Sequence, residues 1–140
     1  AATKLFPDCD GMIGVAAPCD YKPIEVADYK IRKTGEALEL KLIETPDVVA
    51  FLGANKQSHQ WTVGFALETD DARFRAITKL QKKNCDLVVL NGPTAINASD
   101  NEVEIIAPDG TTIQSIKGPK ASVASQILAT IEKRLISDPK

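Results

Sequence analysis

The residues with the most chemistry to offer in this chain are its lysines. Lys30, Arg32 and Lys33 crowd into "YKIRKTG", inside a charged stretch over residues 20–35 that has neither a helical nor a strand period and ends at Gly35. Lys79 and Lys83 stand four apart in "DDARFRAITKLQKKN", so a helix there puts both on one face. Like charges at that spacing repel weakly unless an anion lies between them. One reading is a clamp for a polyphosphate. Lysines from a loop and a helix end would neutralise the phosphates and the charge that develops when one of them is displaced. The other reading is a solvated helix end, because cations suit a helix C-terminus, and Lys82 beside them fits that reading. Neither GxxxxGK[ST] nor G-x-G-x-x-G occurs, so a phosphate site here rests on lysines and not on a glycine-rich loop of this chain.

The elements decide which polar groups converge, because ligands of an open parallel sheet bind beyond the carboxyl ends of its strands. Residues 1–6 read as the end of a helix stopped by Pro7 and Asp8. "GMIGVAA" (residues 11–17) is a short continuous apolar run, as in a strand buried on both faces. "ALELKLIE" (residues 37–44) alternates and predicts a half-buried strand. "TPDVVAFLGANK" predicts a helix with Thr45 as N-cap, Pro46 at its first position and an end near Asn55. A second buried strand follows at residues 61–68, an amphipathic helix at 70–84 and a third buried strand at 85–91. "NEVEIIAP" and "TTIQSIK" flank "PDG", a hairpin signal. Residues 120–136 close the chain as a helix with Val123, Ile127, Leu128, Ile131 and Leu135 on one face.

Buried strands alternating with amphipathic helices predict an α/β fold, a Rossmann-like, mostly parallel sheet flanked by helices, with the late β-hairpin added antiparallel at one edge. The chain begins inside a helix with no earlier strand, so it is expected to be the C-terminal part of a single α/β domain whose N-terminal part is missing. The strand ends bring Asp20, Glu68, Thr69 and Asn91 to one rim. Each has a plain structural role available, such as capping a turn or the helix that follows.

Composition narrows the classes. The chain has 140 residues, 44% of them hydrophobic and 26% charged, which is ordinary for a globular domain. A net charge of −2 and a pI near 5.4 do not provide the basic field of a nucleic-acid binder. Cys9, Cys19 and Cys85 are odd in number and widely spaced, which is neither a disulfide framework nor a zinc pattern. No apolar run approaches a membrane span, and "AATKLFPDCD" lacks the features of a signal peptide. A cytoplasmic protein is expected. The only histidine, His59, lies in the polar turn "NKQSHQ", which argues against histidine catalysis.

The order of short words along the chain resembles a known family. Ala16-Ala17-Pro18-Cys19-Asp20-Tyr21-Lys22-Pro23 is followed by Lys30-Ile31-Arg32-Lys33, ten residues past the aspartate. Then come Pro46-Asp47-Val48-Val49, Gly64-Phe65-Ala66-Leu67-Glu68-Thr69, Lys79-Leu80-Gln81-Lys82-Lys83-Asn84-Cys85-Asp86, and "SDNEVEII" from Ser99. This series is similar to the phosphopantothenoylcysteine synthetase domain, the ligase half of the bifunctional coenzyme A biosynthesis flavoprotein. The resemblance implies a homodimer that joins 4'-phosphopantothenate to L-cysteine. In it CTP, with Mg2+, activates the carboxylate as an acyl-cytidylate. It further implies that Gly14, Ala16 and Ala17 face the cytidine and that Asp20 contacts the nucleotide. Lys30 would be the catalytic lysine at the reacting phosphates. Pro46, Asp47, Val48 and Val49 would form a nucleotide-binding segment, Phe65 would lie beside the nucleotide, and Lys79 and Lys83 near the phosphates. The metal ligands are not identified. FMN belongs to a decarboxylase domain outside this chain, and the family's N-terminal half is expected in cis or as another chain.

Pro18 and Cys19 stand where small or branched residues are usual, and Pro18 has no amide N–H to offer. "TAINA" before Ser99 lacks the family's usual Phe-Gly and blurs the correspondence over residues 97–100. A nicotinamide oxidoreductase is disfavoured: the residue four past Tyr21 is Glu25, and Lys33, four past Tyr29, lies in a loop without helical signal. A non-catalytic α/β nucleotide-binding or assembly module is the alternative. The charged stretch itself reads as a poorly anchored lid, with Lys30 catalytic and Arg32 and Lys33 auxiliary.

Overall fold

A computed structural model of the chain describes residues 1–67, 72–92 and 100–137. The expectations at Glu68, Thr69, Asp70 and residues 97–99 lie outside the described residues. The chain divides into two compact units, Ala1–Val15 with Val48–Lys140, and Ala16–Asp47.

In the first unit, β1 (Gly11–Gly14), β4 (Trp61–Leu67), β5 (Leu87–Asn91), β6 (Asp100–Ile106) and β7 (Thr112–Pro119) form a sheet in that order among the described residues. β1, β4 and β5 are parallel, and β6 and β7 are added antiparallel as a hairpin. This is the mostly parallel core with an antiparallel edge read from the alternation of elements. Each strand has two faces, and each face has its own helix. Val63, Leu87, Val89, Val103, Ile105 and Ile116 pack with Val123, Ile127 and Ile131 of α4 (Lys120–Ile131). Ala66, Val88, Leu90 and Ile106 pack with Ala76 and Leu80 of α3 (Ala72–Lys82). Fully burying each such Val, Leu or Ile contributes about 1.5–3 kcal/mol, which is why spacing by four fixes the face each helix presents.

A one-turn helix, α1 (Ala2–Leu5), opens the chain, and the ends of the later helices are set by particular residues. At the end of α3, Asn84 takes a left-handed φ of 49°. Its N–H donates to the Gln81 carbonyl (3.2 Å), and that of Cys85 donates to Leu80 (3.0 Å). This double closure satisfies the last carbonyls, and asparagine tolerates the left-handed region better than most residues. α4 passes into a π-helical turn, Glu132–Ile136, with the Ser137 N–H bonded to the Glu132 carbonyl (2.8 Å). The wider turn offsets the drift of a strict four-residue spacing, so Leu135 still reaches the core while Leu128 is exposed. The expectation that Leu128 shares the buried face is therefore corrected.

Three further expectations change. The apolar run at residues 11–17 is a strand only over Gly11–Gly14, and as β1 has a single neighbour among the described residues it is half-buried; Val15, Ala16 and Ala17 are exposed. "ALELKLIE" forms a strand only over its last three residues, β3 (Leu42–Glu44), which is exposed and pairs with β2 (Tyr21–Pro23) in a separate two-stranded sheet. Alternation buries a face only when a core lies beneath it, and this ladder has none. Thr45 does not cap α2 (Val48–Asn55), and Pro46 is not its first residue. Thr45 makes its hydrogen bonds elsewhere in the second unit.

A polar knot joins α2, α3, β4 and β5 at the amino ends of the strands. The Lys56 ammonium donates to Asp86 Oδ2 (2.6 Å) and to the Asn84 carbonyl (2.9 Å). Asp86 Oδ2 also accepts the Thr62 N–H (2.7 Å), and the Asn84 side chain donates to the Gly53 carbonyl (2.8 Å). Lys56 and Asp86 are only 14% and 32% exposed, so water replaces these partners poorly. Asp86→Ala is expected to lower unfolding free energy by about 2 kcal/mol, since it strands a half-buried ammonium and an amide. Urea denaturation checks this, and an unchanged midpoint would remove the knot from the list of stabilising features.

Candidate functional site

The two units carry different parts of the predicted site. In the second unit, β2 and β3 are antiparallel legs paired as Tyr21 with Glu44, Lys22 with Ile43 and Pro23 with Leu42, extended by the Ile24 N–H on the Lys41 carbonyl (3.0 Å). Below the ladder the Thr45 N–H donates to the Asp20 carbonyl (2.8 Å), and the Thr45 hydroxyl donates to the carbonyl of Cys19. Asp20 therefore sits at the neck of an excursion, and Lys30, Arg32 and Lys33 lie beyond the paired legs in exposed chain. Lys30 takes part in no described hydrogen bond or ion pair, so its ammonium is available to a ligand. Ala16, Ala17, Pro46 and Asp47 belong to the same unit and are exposed.

In the first unit, Gly14 ends β1 against the start of α2. A Cβ on Gly14 would come within 2.7 Å of Val49 Cγ2, so only glycine lets strand and helix approach this closely. Val48 and Val49 are half-buried in the first turn of α2, at the positive end of the helix dipole. Phe65 is half-buried in the middle of β4, packed against the same core as Trp61 and Ile13.

Lys79 lies in the last turn of α3, and Lys83 follows it. The backbone of Lys83 abuts Gly53, near the far end of α2 from Val48 and Val49. The structure thus gathers Gly14, Val48 and Val49 at the carboxyl rim and does not bring the backbone of Lys83 there. Both lysines have partners within the chain. The remainder of their motif is structural, because Asn84 and Asp86 belong to the knot. Burial pushes the Cys85 thiol up, which keeps it protonated and inert beside Leu80 and Ala76.

Asn91, a rim candidate, is half-buried. Its side-chain oxygen accepts from Asn101 Nδ2 (2.9 Å), and its own amide donates to the Ala66 carbonyl (3.5 Å). Sequence reading missed Asn101 and Arg73. The Arg73 guanidinium reaches Glu104 (2.9 Å), Thr112 (2.6 Å) and the Gly110 carbonyl (2.6 Å), pinning the hairpin to α3. An arginine near a helix start gives no pattern signal for a fork into a distant hairpin, since the partners are more than thirty residues away in the chain. Among the described residues no cluster of three His, Cys, Asp or Glu is placed to hold a metal ion, and no helix is long and apolar enough to cross a membrane.

Parallel strands with helices on both faces and a glycine-ended first strand meeting a helix N-terminus define an open, Rossmann-like α/β domain. Within that class, residues 1–135 match the family described as DFP, DNA/pantothenate metabolism flavoprotein C-terminal domain, and the chain belongs to that family. The coenzyme A biosynthesis bifunctional protein CoaBC of Haemophilus influenzae is 36% identical over 125 residues, covering 87% of this chain and 31% of that protein. A cysteine/cysteine sulfinic acid decarboxylase from an unknown prokaryotic organism is 36% identical over 135 residues, covering 94% of this chain and 38% of its own length. A solved C-terminal domain of CoaBC is 31% identical with a TM-score of 0.72, covering 98% of this chain and 60% of that one. The family read from the order of the motifs is thus the one found. The chain spans about a third of the length of the curated relatives it matches.

Proposed function

We propose that this chain is the C-terminal part of a CTP-dependent ligase that joins 4'-phosphopantothenate to L-cysteine. The observation that carries the reading is the family match over residues 1–135, which includes the arm with Asp20 and Lys30. The chemistry is acyl activation. A carboxylate oxygen of phosphopantothenate attacks the α-phosphorus of CTP, and pyrophosphate leaves. The amine of cysteine then attacks the acyl carbon, releasing CMP and forming the amide. Two anions must meet in the first step, and cations that quench their repulsion lower its barrier. Lys30 supplies such a cation from the exposed arm, and Arg32 and Lys33 add field. Gly14, Ala16, Ala17, Asp20, Pro46, Asp47, Val48, Val49 and Phe65 are the nucleotide contacts of this reading, with Lys79 and Lys83 toward the phosphates. Mg2+ enters with the triphosphate as a substrate complex, held largely by phosphate oxygens, and no ligand for it is assigned here.

Turnover in this reading needs the remainder of the ligase domain, since the chain covers 60% of the solved domain it resembles. The proposed partner is a second copy of the ligase. Tyr29, Ile31, Leu38 and Leu40 are exposed on the second unit and Val26 is 88% exposed, an apolar set that supports association. The late hairpin is a weaker candidate for exchange, because Val103, Ile105, Ile106 and Ile116 are committed to the core.

Thermal unfolding of a ligase domain that contains this chain tests the nucleotide. CTP with Mg2+ at about a hundredfold over its Kd should stabilise by about 2.7 kcal/mol, seen as a rise in Tm. NADPH should leave Tm unchanged. Equal responses to both would sink the ligase reading.

A further inference from the structure

We infer that Thr45 is a positioning residue: its hydroxyl clasps the neck of the Lys30 arm and so holds the arm's two legs in register. The inference rests on the ligase reading for what the arm does, but the clasp itself is read from geometry. Thr45 offers two donors to the opposite leg, its N–H to the Asp20 carbonyl (2.8 Å) and its hydroxyl to the Cys19 carbonyl. No other side chain among the described hydrogen bonds spans the two legs. The ladder above the neck is short, three residue pairs, and Pro23 has no N–H to contribute to it. A two-stranded ribbon of this length is marginal in water. Its residues are exposed on both faces, so no apolar core beneath them fixes the register. A slip by one residue would turn every side chain of a leg to the other face and change the path of the chain to Lys30.

The clasp also acts on Asp20 directly. The two donors hold the carbonyls of the two peptide units that flank the Asp20 Cα, which limits where the Asp20 carboxylate can point. This gives a physical reason for a hydroxyl residue immediately before Pro46 and Asp47, a place where sequence alone suggested a helix cap.

The experiment uses Thr45→Val, which keeps the shape and the backbone donor and removes the hydroxyl, and Thr45→Ser, which keeps the hydroxyl. Amide hydrogen exchange at Ile24 and at position 45 reads the neck. Loss of one such hydrogen bond should raise local opening about three- to tenfold, so Thr45→Val should exchange faster by that factor and Thr45→Ser should match the parent. In a complete ligase, kcat should fall by a similar factor in Thr45→Val, KM for cysteine should stay constant, and Thr45→Ser should restore kcat. Unchanged exchange in Thr45→Val overturns the clasp, and faster exchange with unchanged kcat overturns the positioning role. If the parent ligase forms no amide with CTP, the reading of function fails; the exchange rates still decide the clasp.

Discussion

Lys30→Ala in a complete ligase should abolish most amide formation, lowering kcat by roughly 10²–10³, the loss expected when one preorganised group facing a developing negative charge is removed. The fold should be untouched. Lys30 is exposed, lies beyond the paired legs of its unit and takes part in no described hydrogen bond or ion pair. Surface substitutions of that kind usually stay within about 0.5 kcal/mol. Steady-state turnover and a denaturation midpoint, measured on the same preparation, separate the two claims. Arg32→Ala and Lys33→Ala should cost less, because they add field without touching the phosphates. Lys30→Arg keeps the charge on a planar fork that is a poor substitute for a compact ammonium, so partial activity is expected. Full activity in Lys30→Ala would take the residue out of the mechanism and, with it, the main chemical reason for the arm.

The largest expected effect on stability comes from a glycine in the other unit. In α2 (Val48–Asn55), Gly53→Ala should be favourable by local propensity, by about 1 kcal/mol. Tertiary packing reverses the sign. A Cβ there would lie 1.9 Å from the Lys83 carbonyl oxygen and 3.1 Å from the Asn84 oxygen. Both are backbone atoms held by the closure of α3 and by the Lys56–Asp86 knot, so neither yields cheaply. The net loss should be about 3 kcal/mol, a fall in Tm of roughly 10 °C. Differential scanning calorimetry reads it directly, and a Tm at or above the parent value would show that α2 and α3 are not locked at this crossing. A comparison with Gly64→Ala calibrates the result. A Cβ on Gly64 meets the Cys85 sulfur at 3.3 Å and Val88 Cγ2 at 4.0 Å, both side-chain atoms and neither a severe overlap, so a smaller loss is expected.

The parts of the fold that were legible from sequence share one property: their periodicity was enforced by burial. Val123, Ile127 and Ile131 recur every fourth residue because one side of α4 faces the sheet, and all three are buried. β4 and β5 read as continuous apolar runs because helices cover both their faces. The hairpin was marked by "PDG", where Gly110 takes a φ of 86° and Thr111 bonds Asp109. Expectation failed where burial does not enforce the pattern. "ALELKLIE" alternates as cleanly as any half-buried strand, yet most of it is not strand and all of it is exposed. Thr45 had the right neighbours for a cap and is used as a clasp instead.

Among the site residues, the short words of the family were visible because chemistry restricts them to few residue types at set intervals. Asp20 and Lys30, ten apart on one arm, and the Pro46–Val49 word were readable for that reason. Their surroundings were not. That Gly14 is held to glycine by Val49, that Asn84 and Asp86 serve the knot, and that Arg73 reaches Glu104, Thr112 and Gly110 all depend on residues brought together from distant parts of the chain. Sequence by itself determined the family, the α/β class and the basic arm, because these follow from residue type and local spacing. Tertiary structure alone decided which polar residues are spent on holding the fold and which, like Lys30, are left facing solvent, because that division depends on which partners fall within hydrogen-bonding reach once the sheet has formed.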